Sequence, residues 1–167
     1  VIGHAHIDTA WLWPLAETRR KCVRTFASAL RNMEDYPDYR FACSQAQQYA
    51  WIKESQPALY ERIRQRVAEG RFVPAGGAWV ESDCNVPGGE SFVRLALYGQ
   101  RFFRERVGVL ARVGFNVDSF GHAASLPQIL NKSGMDYYVL MRPSRQEKGL
   151  PGHLFWWESD DGSRVLT

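Results

Sequence analysis

Paired cysteines are missing from this sequence. Cys22, Cys43 and Cys84 are an odd number, far apart, with no Cys-x-x-Cys among them. Neither a disulfide framework nor a zinc ribbon is encoded, and the thiols read as reduced, placing the protein in the cytoplasm. No run of about 18 apolar residues occurs, which excludes a membrane-spanning helix. Internal repeats and low-complexity tracts are also lacking, which excludes solenoids and disordered arrays. Charge of one sign is scarce: 21 basic residues stand against 18 acidic ones, for a net +3. The densest basic cluster, Arg19-Arg20-Lys21 with Arg24, has no interleaved aromatics. It reads as a solvated helix face, so neither nucleic acid nor a membrane is expected as a partner. No signal peptide is visible. The chain opens directly inside a strand, however, and residues before Val1 are expected to be missing.

What is present is an ordinary globular composition, 45% hydrophobic and 23% charged, in a chain long enough for one core. The stretch His4-Ala5-His6-Ile7-Asp8, followed by Thr9-Ala10-Trp11-Leu12-Trp13-Pro14, carries the densest chemistry. Val1-Ile2-Gly3 just upstream is a short apolar run suited to a buried strand. In strand period His4, His6 and Asp8 project from one face. Imidazole and carboxylate are ordinary ligands of zinc and its neighbours, and that face could hold a divalent metal. The competing reading is a strand end whose polar residues cap the next helix.

From there strands and helices alternate. Pro14 suits the first position of a helix running to about Met33, with Val23, Phe26, Leu30 and Met33 as its buried stripe. Tyr39 to Ser44 reads as a strand ending on Ser44-Gln45-Ala46-Gln47. A helix from Pro57 follows, stopped by Gly70, and Arg71 to Ala75 forms the next strand. Gly76 to Asn85 is a long loop in which Glu81 and Asp83 serve either function or turn and cap geometry. Helix is expected from Gly89 to Val107, strand from Val109 to Val117, helix from Leu126 to Lys132 and strand from Tyr137 to Met141. His153 to Trp157 and Arg164 to Thr167 form a hairpin around Asp160-Asp161-Gly162-Ser163. This alternation predicts an α/β fold, a parallel sheet with outer helices. His6, Asp8, Ser44, Gln45, Asp118 and Arg142 all fall at or just past strand C-termini, the rim where such folds build sites.

A second constellation is Gly114-Phe115-Asn116-Val117-Asp118-Ser119-Phe120-Gly121-His122. Asp118 leaves the end of an apolar strand, Phe120 and His122 are spaced to follow it on one side, and Gly121 permits a tight turn. Asp118 could ligate the metal, act as nucleophile, do both, or cap the helix near Ser125 as an Asx turn.

Taken together the motifs resemble glycoside hydrolase family 38, the α-mannosidases. The matching stretches are His6 to Pro14, Val117 to His122, Ser44 to Gln47 before Tyr49 and Trp51, Gly76 to Glu81, Tyr98 to Phe103, and Phe155-Trp156-Trp157 before Asp161-Gly162-Ser163. The resemblance implies a retaining α-mannosidase acting on α-mannoside oligosaccharides, with one divalent cation, usually Zn2+. It also implies that residues 1–167 are the N-terminal portion of an irregular seven-stranded β/α barrel, truncated on the C-terminal side. By position, His6, Asp8 and Asp118 would be three of four protein ligands, with Asp118 also the nucleophile. Trp11 and Phe120 would line the sugar pocket, and Arg142 would orient Asp118. The general acid/base and the fourth ligand, a histidine, are expected beyond Thr167, which would leave this segment alone inactive. Linkage preference is not encoded in these motifs, and a homo-oligomer is left open.

Two other readings compete. His4-x-His6 also looks like the opening motif of amidohydrolase-type barrels, in which His4 would be a ligand and an activated water the nucleophile. Against it stand the tryptophan motif and the absence of a later strand-end Lys or His pair. The other is a truncated barrel that binds carbohydrate or metal without turnover.

Overall fold

A computed structural model describes residues 2–167; Val1, where the first strand was expected to open, lies outside the described residues. Two sheets form. In the first, β1 (Ile2–His4), β2 (Arg40–Cys43) and β3 (Phe72–Pro74) run parallel in the order β1-β2-β3. The second has the order β4-β5-β7-β6, from β4 (Val113–Phe115), β5 (Tyr137–Val139), β6 (Trp156–Glu158) and β7 (Arg164–Leu166). Its strands are parallel except for β6, which returns antiparallel on β7 as the expected hairpin, with Gly162 at φ 80° in the turn. The Gly76 N–H donates to the Val113 carbonyl at 2.7 Å, linking the end of β3 to the start of β4.

The helices cover these strands. Helix α1 (Leu15–Asp35) follows Pro14 directly and buries Cys22, Phe26, Ala29, Leu30 and Met33, one stripe at helical spacing. Helix α3 (Pro57–Ala68) starts on its proline, and Gly70, at φ 71°, takes the left-handed turn that follows it. Helix α4 (Gly89–Phe102) runs into a π-helical turn, Phe103–Val107, closed by Gly108 at φ 93°. Helix α4 comes very close to the β3 loop: a Cβ on Gly99 would sit 2.4 Å from the Gly77 carbonyl oxygen. Helix α5 (Leu126–Lys132) packs on the second sheet.

Three local expectations are corrected. The strand expected over Val109–Val117 shrinks to Val113–Phe115 because the Gln100 side chain takes both backbone groups of Ala111, donating to its carbonyl at 2.7 Å and accepting from its N–H at 3.0 Å. Those groups are satisfied without a strand partner. Helix α2 (Ala46–Ser55) was not foreseen. It buries Gln48 alongside Tyr49, Trp51 and Ile52, which blurs any apolar stripe. The four-residue α6 (Arg145–Lys148) was also missed, although Ser144 and Glu147 spell its capping box.

Candidate active site

The site forms where both sheets release their C-terminal ends. β1 stops at His4, so His6 and Asp8 lie on the segment beyond it; β4 stops at Phe115, three residues before Asp118; β5 stops at Val139, three before Arg142. His6, Asp8 and Asp118 converge, each offering a ligand atom within 4.8 Å of the others. His6 Nε2 lies 3.3 Å from Asp8 Oδ1 and 3.9 Å from Asp118 Oδ2. One imidazole and two carboxylates, brought together from separate segments, are a donor set that fits a single divalent cation.

Arg142 closes the other side of Asp118: its Nε lies 2.9 Å from Oδ1, the oxygen not turned toward His6. The same guanidinium sits 4.9 Å from the centroid of Phe120, which is 76% exposed. Trp11 is 60% exposed, an indole face offered to solvent beyond the ligand segment. Trp13, by contrast, is engaged: its Nε1 donates to Thr18 Oγ at 2.8 Å and Lys21 Nζ lies over its ring.

The His6–Asp8 segment is held from behind by the turn after β2 and by α2. Gln45 and Gln48 both donate through Nε2 to the Ile7 carbonyl, at 2.9 and 2.8 Å, fixing the peptide between His6 and Asp8. Gln45 accepts from Thr9 Oγ1 and from the Glu81 N–H. It is a buried non-glycine residue at φ 67°, a conformation costing on the order of 1 kcal/mol or more. Such strain persists only where the surroundings over-determine it, and here the Ile7 carbonyl, Thr9 Oγ1 and the Glu81 N–H hold the side chain while the Gln48 N–H donates to the Gln45 carbonyl.

Glu81 reaches out of its loop toward the site. Its side chain, 5% exposed, turns inward; Oε2 lies 3.3 Å from His6 Nδ1 and Oε1 accepts from Ser44 Oγ. This contact, ahead of smaller contributions from Asp8 and against desolvation, pushes the His6 pKa up to about 9. Asp83 is instead a turn residue: its Oδ1 accepts from the N–H groups of Asn85 and Val86, which lowers its pKa.

Two sequence expectations are corrected here. His4 does not share the face of His6 and Asp8: its Nδ1 meets the Ala42 carbonyl at 2.9 Å and its ring packs on Phe115 at 4.5 Å. His122 does not follow Asp118. Its main chain bridges Cys84, and its imidazole stands edge-on to Tyr138 and Trp157, where burial lowers its pKa. Gly121 does not take a positive φ, and a Cβ there would meet only the amide tip of the exposed Asn85 side chain among its nearest neighbours. Sequence reasoning placed Gln45 on the rim with Ser44 but passed over Thr9 and Gln48 as site-builders. The available signal was polar residues crowded at the C-terminal end of β2, at the place where a neighbouring strand presents ligands.

Parallel strands with outer helices and a polar cluster gathered on the carboxyl rim define the class: an α/β domain with its candidate site at the strand ends. Comparison with known proteins narrows it. The model described as "Glycosyl hydrolases family 38 N-terminal domain" matches residues 1–167. The chain is 48% identical over 166 residues to human alpha-mannosidase 2C1 and 46% identical over 167 residues to alpha-mannosidase G of Dictyostelium discoideum, 99% of this chain aligning in each case. It is 40% identical over 168 residues, again 99% of the chain, to an alpha-mannosidase of Saccharomyces cerevisiae. The chain belongs to glycosyl hydrolase family 38. It spans 15–16% of the length of these curated relatives. In fold it is similar to an alpha-mannosidase from Enterococcus faecalis, with a TM-score of 0.83 at 20% identity over 99% of this chain and 19% of that one. A 4-alpha-glucanotransferase from Thermococcus litoralis matches at TM-score 0.75 and 17% identity, over 99% of this chain and 26% of that one.

Proposed function

We propose that the full-length gene product is a retaining α-mannosidase that removes terminal α-linked mannose from oligosaccharides or glycan fragments. In this reading Asp118 is the nucleophile and His6, Asp8 and Asp118 hold one divalent cation, zinc first among the candidates. The observation that carries it is the placement of Asp118, with one oxygen turned toward the His6–Asp8 pair and the other held by Arg142. The names of the relatives and the family supply the substrate class. When bound, the cation supplies Lewis acidity and a chelating point for adjacent sugar hydroxyls, which in a mannoside include an axial 2-hydroxyl.

The chain's own residues supply the rest. Arg142 orients the free Asp118 oxygen for attack on the anomeric carbon, as near-attack alignment requires. The glycosidic bond breaks as the Asp118 ester forms, and water later hydrolyses that ester with the original configuration restored. Trp11 and Phe120 offer aromatic surface to the C–H faces of the sugar ring. The second carboxyl that protonates the leaving oxygen, about 5 Å from the nucleophile in retaining enzymes, is assigned outside residues 1–167, together with a fourth ligand. Within the chain, Glu81 is committed to His6 and Ser44 and Asp83 to its own turn. This part of the chain is proposed to complete a seven-stranded barrel with the remainder. Its three buried free thiols, Cys22, Cys43 and Cys84, suit the reducing cytoplasm.

The amidohydrolase reading needs His4 beside His6 as a ligand, and the His4 ring is spent on Ala42 and Phe115. The deciding experiment is hydrolysis of p-nitrophenyl α-mannoside together with elemental analysis, on the full-length gene product and on residues 1–167 side by side. Turnover with about one zinc in the former alone is the expected result. Amidase or phosphoesterase turnover with two metals would overturn it.

A further inference from the structure

The residue left without a role in this scheme is Glu81. It comes from the loop after β3, yet its carboxylate reaches the ligand segment and places Oε2 3.3 Å from His6 Nδ1. Its side chain is 5% exposed, and Oε2 is buried without a hydrogen-bond partner among the described residues, the His6 contact being an ion-pair approach. A carboxylate withdrawn from water needs a positive or donating partner. Ser44 Oγ serves one oxygen, and the His6 ring faces the other.

The opposite ring nitrogen, Nε2, is the one that faces Asp8 and Asp118. The imidazole is thus held between a buried carboxylate on one side and the two proposed metal-binding carboxylates on the other. We infer that Glu81 is the positioning residue that makes His6 an Nε2 ligand: by accepting the Nδ1 proton it selects the tautomer with a free Nε2 lone pair and locks the ring plane toward Asp8 and Asp118. Histidine ligands are commonly oriented in this way by an outer carboxylate, whose loss lowers metal affinity about 10–100-fold. Ser44 extends the arrangement by holding the carboxylate itself, and the Gln45 side chain accepts from the Glu81 backbone N–H. The ligand is therefore set by a chain running from β2 through the β3 loop back to the segment after β1. Glu81 touches neither substrate nor cation in this assignment.

The inference rests on the metal-binding reading above, and the test separates the two. In the full-length gene product, wild type, Glu81→Gln and Ser44→Ala would be compared for zinc Kd by competition with a chromophoric chelator, for Tm of the metal-free form, and for p-nitrophenyl α-mannoside turnover with and without excess zinc. Glu81→Gln keeps the shape and one oxygen acceptor but presents an amide of either orientation to His6. The expected result is a Kd weakened about 10–100-fold, together with a lower metal-free Tm at pH 6.5, where the charged Glu81–His6 pair is lost. Excess zinc should restore much of the turnover, and Ser44→Ala should show a smaller shift of the same sign. Wild-type Kd in Glu81→Gln, whatever happens to Tm, overturns the positioning role while leaving the mannosidase reading intact. A wild-type protein that neither binds zinc nor cleaves the mannoside overturns both. Should Glu81→Gln fail to fold, Ser44→Ala decides: an unchanged Kd in that variant also overturns the assignment.

Discussion

The half of the molecule on β1–β3 and the half on β4–β7 contribute to one site but are packed differently. In the first, Phe26, Tyr49, Phe72 and Phe103 are fully buried and meet one another edge-on or tilted at 5.3–6.0 Å. Aromatic groups in such arrangements add to the area they bury. In the second the core is smaller, built on Leu130, Met135, Tyr138 and Val165, and Tyr137, Val139 and Met141 stay exposed along β5 and just after it. His6 and Asp8 leave the densely packed half, and Asp118 and Arg142 leave the lighter one. Site geometry therefore depends on how the halves are joined, which falls to the Gly76–Val113 hydrogen bond, the Gln100–Ala111 clasp and the Cys84–His122 bridge.

The largest expected effect falls on the lighter half. Asp118→Asn in the full-length gene product should lower turnover of an activated α-mannoside about 10⁴-fold or more and weaken the metal. Normal kcat in that variant would remove Asp118 from the chemistry. Stability should show the reverse asymmetry. Phe72→Ala in the dense core should cost about 3–5 kcal/mol, against about 2–3 kcal/mol for Leu130→Ala, a smaller side chain that is less completely buried. Urea unfolding of both variants measures this, and a larger loss at Leu130 would break the contrast. Arg142→Ala should reduce kcat/KM about 100-fold with little change in stability, because its guanidinium is half exposed and its task is to orient Asp118.

The smallest effect concerns pH. The folded-state pKa of His6 is raised from 6.5 to about 9, so in the metal-free protein its stabilising contribution is complete below pH 6.5 and is lost as pH rises through about 9. Tm of the chelator-treated protein should decline slightly from pH 6.5 to about 8, a range below the titration of the unfolded chain's cysteines. In the same range zinc must displace a proton from His6, so affinity should rise about tenfold per pH unit. A Tm that rises with pH would mean that the carboxylates facing His6 do not hold its proton.

Much of this was legible from the chain alone, for reasons of periodicity. The stripe Phe26, Leu30 and Met33 marks α1, Pro57 and Gly70 bracket α3, and Asp161-Gly162 marks the hairpin, since each rests on local geometry. That His6, Asp8 and Asp118 share one rim was also anticipated from strand ends in a parallel α/β sheet, while their grouping as a ligand set was implied by the family resemblance. Helix α2 was invisible because its buried side carries Gln48, whose partner, the Ile7 carbonyl, lies 41 residues away in sequence.

What the sequence determined by itself, then, is the order of the elements and which of them end in ligand-capable side chains, both set by local hydrophobic period and turn chemistry. Tertiary structure decided which of those side chains meet. It turned His4 onto Phe115 and His122 onto Trp157, although both had the spacing of site residues. Glu81, readable as a turn residue, it brought against His6. The physical reason is the same in all three: the neighbour that satisfies a polar side chain at or beyond a strand end comes from a distant segment.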